Sequence, residues 1–335
     1  MKSKFKLLTL SVSMLACGLG VSLNAHANAY ALATNNIKDG FLVGLYDGTS
    51  IGTGIPGIFT FGTPSSLSSS SATLNGTGSS GSDVISPPDA PVSNGTGSFP
   101  VRPNELTFTT GAGNTYYKPY GQLGTSYSWG DAKVVSEQSI TGIPIVARNA
   151  AETNIPVAGF GDADGRNASS TSLSLPVSVG KDCDTHSCIM DFSFKADPYI
   201  KVVLDALAAG KVARGVLATS ITLSKVGGLI PIFAWAPDGA PGGIVGGTEV
   251  KDAENLNLTR EVLFPGTSAE YSPAYGADIF GSFEAFTNPL GAGEYTLSLS
   301  MIEKTDAQRV PEPATLALMG IGLLGWGFVR RHKQA

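Results

Sequence analysis

The sequence predicts a mainly β protein: an antiparallel, sandwich-like exported domain with one amphipathic helix, preceded by a signal peptide and followed by a single transmembrane helix. Three observations predict it. Glycine is abundant, 42 of 335 residues, which favours turns over helices. From Val101 onward, short apolar or alternating runs recur between turn residues, the rhythm of a sandwich. An apolar segment lies near each end of the chain beside a cluster of positive charge, as export and anchoring segments do.

The first segment is Lys2, Lys4 and Lys6, then an apolar stretch from Leu7 to about Leu23, then Ala25-His26-Ala27. A basic start, an apolar core and a small-x-small site make residues 1–27 a secretory signal peptide, cut after Ala27 or Ala29. Cys17 follows Leu15-Ala16 and offers the alternative of a lipid anchor. The apolar character continues past Cys17, which favours the signal peptide.

The exported body spans residues 28–310. The chain has 22 Lys+Arg and 27 Asp+Glu; without Lys2, Lys4, Lys6, Arg330, Arg331 and Lys333, and without Glu312, 16 face 26, a net charge of −10. An acidic body excludes nucleic acid as a partner, since the phosphate backbone demands clustered positive charge. Residues 62–100 are rich in Ser, Gly and Thr and predict a flexible segment. Asn-Gly at Asn75 and again at Asn94 is a tight-turn signal, but the flanks lack alternating apolar residues, so a loop or linker is expected over a hairpin.

Beyond it, strands are expected at residues 106–109, 143–147, 172–178, 189–194, 212–223, 230–234 and 295–302. The stretch ADPYIKVVLDALAAGK breaks the pattern. Asp197 reads as an N-cap, Pro198 as the first helical residue, positions 200, 203, 204 and 207 as an apolar stripe and Gly210 as the stop. It predicts one helix covering an end or face of the sandwich.

The residue inventory limits the chemistry. His26 leaves with the signal peptide and His332 lies in the tail, so the body keeps only His186. A zinc or copper site needing two imidazoles is excluded, and no G-x-S-x-G elbow supplies a triad nucleophile. Paired carboxylates remain the one open catalytic mechanism, with Asp278 and Glu284 among the candidates and no pair assignable.

Four constellations could bind or bridge something. Cys183 and Cys188, in an oxidising compartment, predict a disulfide that staples a turn; a Cys-Cys-His metal site or a redox dithiol is the sharper alternative, disfavoured by the C-x-x-x-x-C spacing. Asp162, Asp164 and Asn167 offer hard oxygen ligands for calcium in a turn, without the EF-hand spacing, against a solvated β-turn. Tyr116, Tyr117, Tyr120, Tyr127 and Trp129 cluster among amides and a carboxylate and form a candidate sugar-stacking surface, against core packing. No cofactor is expected. Gly320, Gly322 and Gly325 spell G-x-G-x-x-G, but no strand precedes them, so they belong to a glycine-rich membrane helix.

At the C-terminus, the run from Ala314 to Val329 has no charge and ends on Arg330, Arg331, His332 and Lys333. Its sixteen residues rise about 24 Å as a helix, just short of the ~30 Å hydrocarbon core. The basic cluster is a membrane stop and stays cytoplasmic. Pro311 and Pro313 hold the preceding segment extended, a form that a binding groove can grip. The order Val310-Pro311-Glu312-Pro313-Ala314-Thr315, apolar span, basic cluster resembles the sorting signal of PEP-CTERM proteins. The resemblance covers residues 310–335 only. It implies that Pro311, Glu312 and Pro313 are the triplet recognised by an exosortase-like processing enzyme. It also implies a Gram-negative source and transient anchoring in the inner membrane before arrival at the cell surface or the medium. For the body, the expectation is a non-enzymatic role in adhesion, biofilm or exopolysaccharide association; the alternative is a secreted carboxylate-dependent hydrolase of glycosidase type.

Overall fold

A computed structural model describes residues 28–46, 51–52, 58–74, 77–85, 92–97, 126–136, 144–156, 163–205, 211–272 and 280–309. In it, side chains of alternating burial run into long strands, and the strands pair antiparallel into two nine-stranded sheets. Sheet A has the order β14 (Gly247–Asp252), β17 (Gly281–Thr287), β10 (Ile189–Leu204), β1 (Asn28–Tyr46), β8 (Pro144–Pro156), β7 (Tyr127–Ser136), β6 (Val92–Gly97). Two strands lie off that path, β16 (Thr267–Tyr271) on β10 and β2 (Ile51–Gly52) on β1. Sheet B has the order β13 (Ile244–Val245), β12 (Phe233–Trp235), β11 (Lys211–Lys225), β18 (Gly293–Arg309), β9 (Ala163–Val179), β4 (Ser65–Leu74), β5 (Thr77–Ile85). Here β15 (Thr259–Val262) pairs with β11 and β3 (Phe59–Phe61) with β9. The antiparallel sandwich expected from the sequence is therefore the fold.

The part of the expected helix that falls in the described residues, 197–204, is instead the second half of a strand; residues 206–210 lie outside the described residues. All sixteen residues of β10 alternate between half-buried and buried, and Ile200, Val202 and Leu204 point into the core. Period-2 burial of β-branched residues beside β1 outweighs a capping signal that is local. Pro198 is tolerated because β17 pairs with β10 only at 191–196 and β16 only at 200–204. It stands in the gap, where a missing N–H costs no ladder bond on that side.

The flexible segment expected at 62–100 is also largely strand: β4, β5 and β6 lie within it. Leu74 pairs with Thr77, so β4 and β5 form a hairpin; the Asn75-Gly76 signal falls between them, outside the described residues. The second Asn-Gly lies inside β6, opposite Ala132 and Asp131. Hydrophobic periodicity missed β4 because its inward residues are Ser66, Ser68, Ser70 and Ala72, buried yet small and mostly polar. Of the other expected strands, 172–178, 189–194, 212–223 and 295–302 fall inside β9, β10, β11 and β18, and 143–147 overlaps the start of the longer β8. Residues 230–234 are mostly an exposed loop, with strand only from Phe233. Residues 106–109 lie outside the described residues.

Between the sheets the core has three zones. A large apolar cluster around Phe192, Phe194, Phe233, Trp235 and Phe283 fills one half. A smaller one, with Ala29, Ala31, Ile200 and Leu217, fills the other. A polar band separates them: Asn35 Nδ2 donates to Thr219 Oγ1 (3.1 Å), Thr171 Oγ1 to Asn149 Oδ1 (2.5 Å), and Asn149 Nδ2 to the Met301 carbonyl (3.1 Å). Thr153 and Thr305 pair through their hydroxyls at 2.8 Å. Hydrogen bonds of this kind between the two sheets favour one register over its neighbours, although Asn35 Oδ1 in this band has no hydrogen-bond partner among the described residues. Two glycines let the sheets close. A Cβ on Gly130 would sit 2.2 Å from the Asn167 amide, and Gly246, at φ 72°, carries the chain from β13 in sheet B to β14 in sheet A.

Both chain ends of the body leave the sandwich together. Asn28, the first residue of β1, has its carbonyl bonded by the Asp205 N–H at the end of β10. Six positions later, Lys211 opens β11 opposite Arg309, the last residue of β18. Such a short link reaches at most about 20 Å, while β10 is roughly 50 Å long. Asn28 and Arg309 therefore share one end of the sandwich, and the disulfide turn at 183–188 lies at the other.

Candidate functional site

The side chains singled out by sequence go to different places. Cys183 and Cys188 are joined, with Cα atoms 5.4 Å apart. A single 3-10 turn, Lys181–Asp184, carries the chain from β9 in sheet B to β10 in sheet A, and both cysteines are buried against the large apolar cluster. The bond staples the crossover between the sheets. His186 is exposed on the same turn, its Nδ1 3.0 Å from the Asp182 carbonyl.

The aromatic surface does not form as expected. Tyr127 and Trp129 are fully buried, packed with Tyr30, Leu32 and Ala150 on the face of sheet A away from the other sheet. Tyr127 donates to Glu152 Oε1 at 2.8 Å, as does Tyr30. Rings held inside and bonded to a buried carboxylate cannot stack on sugar, so these two residues belong to the core. Tyr116, Tyr117 and Tyr120 lie outside the described residues.

The calcium candidates are also separated. Asp164 and Asn167 are an odd number of positions apart on β9 and so point to opposite faces of the sheet. Asn167 is buried, donating to the Ser71 carbonyl at 2.7 Å and accepting from Ser169 Oγ at 3.2 Å. Asp164 faces outward, 3.9 Å from Arg166. Asp162 lies outside the described residues, and among the described residues no group of three His, Cys, Asp or Glu is placed to hold a metal.

The structure brings together something else, on the outer face of sheet B. Where β4, β9, β18 and β11 lie side by side, register aligns Leu67, Ser172, Ser300 and Ser220 in one row, and Ser174, Ser298 and Thr222 in the next with Ser65 at its edge. A third row runs Ser69, Ser170, Ile302, Ala218, in which the first two hydroxyls are 2.7 Å apart. Rows recur every ~6.8 Å along a strand and hydroxyls every ~4.8 Å across it. A shallow depression of about 320 Å³ lies over the first two rows. Serine alternating with leucine builds this face: TSLSLPVSV in β9 and YTLSLSM in β18 send leucine inward and serine outward. That alternation was legible in the sequence; which strands would be neighbours was not.

Toward the end of the sandwich where Arg309 emerges, the same face turns cationic. Arg166, Asp306 and Arg214 stand in one row across β9, β18 and β11, and Lys304 is next along β18. Arg166 Nε lies 3.7 Å from Asp306 Oδ1. These residues rim a second depression of about 460 Å³.

Sheet A carries the best-placed carboxylates. Asp191 on β10 and Glu284 on β17 share its outer face, and Lys251 on β14 pairs with Glu284. Burial, and then the Glu284 charge, push Asp191 up to about 6, with Lys251 opposing. Asp278 lies outside the described residues.

Comparison with known proteins bears on the end of the chain. The model of the PEP-CTERM protein-sorting motif matches residues 309–331. The chain carries a PEP-CTERM sorting signal. No curated protein and no solved structure matches the chain. The PEP-CTERM signal marks the protein for export through the membrane to a surface or extracellular location in Gram-negative bacteria, with processing by exosortase. It implies a C-terminal transmembrane helix; Pro311, Glu312, Pro313, Arg330, Arg331 and Lys333 all lie outside the described residues. Among the described residues, no helix is long and apolar enough to cross a membrane.

The fold gives the PEP-CTERM match a definite starting point. Its first residue, Arg309, is the last of β18, which is paired through that residue to β11 on one side and β9 on the other. The described pairing of the strand runs to Arg309, so removing everything from Pro311 onward takes no described strand pairing from the body.

Proposed function

We propose that the body is a non-enzymatic surface or matrix protein that associates with extracellular polysaccharide and serves adhesion or biofilm formation. The observation that supports this reading is the hydroxyl-rich outer face of sheet B. Each hydroxyl both donates and accepts, and short side chains lose little rotamer freedom when they are ordered. A flat array of such groups suits an extended polyhydroxylated chain lying across the strands. A surface or extracellular location is compatible with such a partner. The test is a screen of mature protein, recovered from medium, against immobilised neutral and acidic polysaccharides. Retention that falls when Ser172, Ser300 and Ser220 are changed together to Val supports the reading, and absence of retention on every glycan overturns it.

A carboxylate-dependent hydrolase is the second reading, favoured by Asp191 and Glu284 on neighbouring strands with one carboxyl held up to about 6. Protonated acid beside charged carboxylate is what glycoside cleavage uses. Release of reducing sugar that disappears in Asp191→Asn would decide for it.

A further inference from the structure

We infer that the cationic depression on sheet B is a binding site for the carboxylate groups of an acidic polysaccharide, a uronate chain whose neutral hydroxyls continue over the serine rows. This rests on the polysaccharide reading above and names the class of ligand.

Four observations carry it. Three long cations, Arg166, Arg214 and Lys304, rim a depression that holds one acid, Asp306, in a body whose overall charge is strongly negative. Asp306 stands between the two arginines in its row and is 3.7 Å from Arg166, Asp164 is 3.9 Å from Arg166, and Glu261 on β15 is in register with Arg214. Lys304 has only Ala168 and Val216 beside it in its row, and among the described residues neither Arg214 nor Lys304 makes an ion pair with an acid. The floor between them is Ala168 and Val216, in register with Lys304, so small side chains leave room at the level of the guanidinium forks. Finally, Ser71 lines both the depression and the edge of the hydroxyl rows, making the two surfaces continuous.

The chemistry follows from charge and shape. Arginine presents paired N–H donors that fit a carboxylate in two parallel hydrogen bonds, and lysine adds a point charge. Cations rising from a flat strand surface can meet anions spaced along an extended chain, whereas a compact anion would reach one or two of them. Nucleic acid is a poorer fit, since three cations neutralise few phosphates and, among the described residues, this face has no aromatic ring for a base to stack on. An anionic membrane is the competing partner, since the cluster lies near the end of the sandwich where Arg309 emerges, although its side chains rise from the broad face of the sheet rather than from that end.

The experiment uses mature protein with both sheets intact and measures binding to polygalacturonate, to carboxyl-reduced polygalacturonate, to dextran, and to vesicles containing anionic lipid. The expected result is binding to polygalacturonate that weakens with salt and falls at least tenfold in Arg166→Gln/Arg214→Gln, with tenfold or greater loss on carboxyl reduction. Lys304→Glu should reduce it further. All three side chains are exposed, so an unchanged melting temperature accompanies these losses. Equal binding to dextran and polygalacturonate, or full binding by the double variant, overturns this inference while leaving the polysaccharide reading in place. Binding to vesicles in preference to polygalacturonate overturns it in favour of a membrane-facing patch. No binding to any glycan removes both.

Discussion

Tyr30 on β1 and Glu152 on β8 are joined by a hydrogen bond of 2.8 Å, from the phenol to the carboxylate, on the buried outer face of sheet A. Burial and the adjacent Glu152 both raise the Tyr30 hydroxyl above its ordinary value, so it stays a donor at any physiological pH. Tyr127 donates to the same oxygen. Tyr30→Phe or Tyr127→Phe should each cost about 1 to 2 kcal/mol, and Glu152→Ala more, since it strands two buried donors. Trp129, in register with Glu152, should cost ~3 to 5 kcal/mol when cut to Ala. Denaturant midpoints measure all four. A folded Trp129→Ala protein with unchanged stability and lost glycan retention would return that ring to a binding role.

The second prediction concerns Glu303, fully buried on the inward face of β18. Desolvation raises its carboxyl well above the usual range, opposed by a weaker interaction with Asn149. Asp191, Asp197 and Asp252 are pushed up to about 6, in each case chiefly by burial. These groups keep their protons in the folded state at pH values where the unfolded chain has released them. The native state then binds more protons, and stability falls as pH rises. The fall should begin near the ordinary carboxylate range and run through about pH 6 for the three aspartates, with Glu303, raised in the same direction, adding to it. Melting temperature should be higher at pH 5 than at pH 8. Glu303→Gln should match wild type at low pH and exceed it at pH 8; equal or lower stability at pH 8 would refute the assignment.

The contrast between β18 and β4 shows what the sequence could and could not disclose. β18 alternates Leu297, Ser298, Leu299, Ser300, and hydrophobic periodicity finds such a strand at once. β4 alternates serine with serine, so its inward face is invisible to hydrophobicity and becomes a strand only because β9 offers it a partner along ten residues. In β10 the capping signal at Asp197 and Pro198 is real as local chemistry, yet pairing with β1 through both residues overrides it. The cationic row fails for a different reason: Arg166, Arg214 and Lys304 are spread over 139 positions, and only strand order brings them together. The sorting motif was fully legible because it acts as a linear segment.

The third prediction concerns the bond between Cys183 and Cys188. Alkylation without reductant, followed by mass spectrometry of protein from the periplasm or medium, should find neither thiol modified. Because the closed loop is short, replacing both cysteines by Ser should cost only about 2 kcal/mol by chain entropy, plus the cost of burying two hydroxyls at the rim of the large apolar cluster. The protein should remain folded, with the turn between β9 and β10 loosened. Free thiols at both positions would refute the bridge.

The last prediction concerns Pro311, Glu312 and Pro313. The matched motif begins at Arg309, the last described residue of β18, and a single residue, Val310, separates it from the triplet. Changing the triplet to Ala leaves the pairing of β18 with β9 and β11 untouched, and leaves the apolar run and its basic stop as they were. Export and folding should therefore proceed as in wild type, while processing fails and the uncut protein accumulates in the inner membrane. Neutralising Arg330, Arg331 and Lys333 should act at a different step: without the charges that halt transfer, the chain inserts poorly or passes through. Fractionation and immunoblotting of the two variants separate these outcomes. If the triplet variant is processed and released like wild type, the segment is a plain anchor, and recognition by exosortase at these three residues is ruled out.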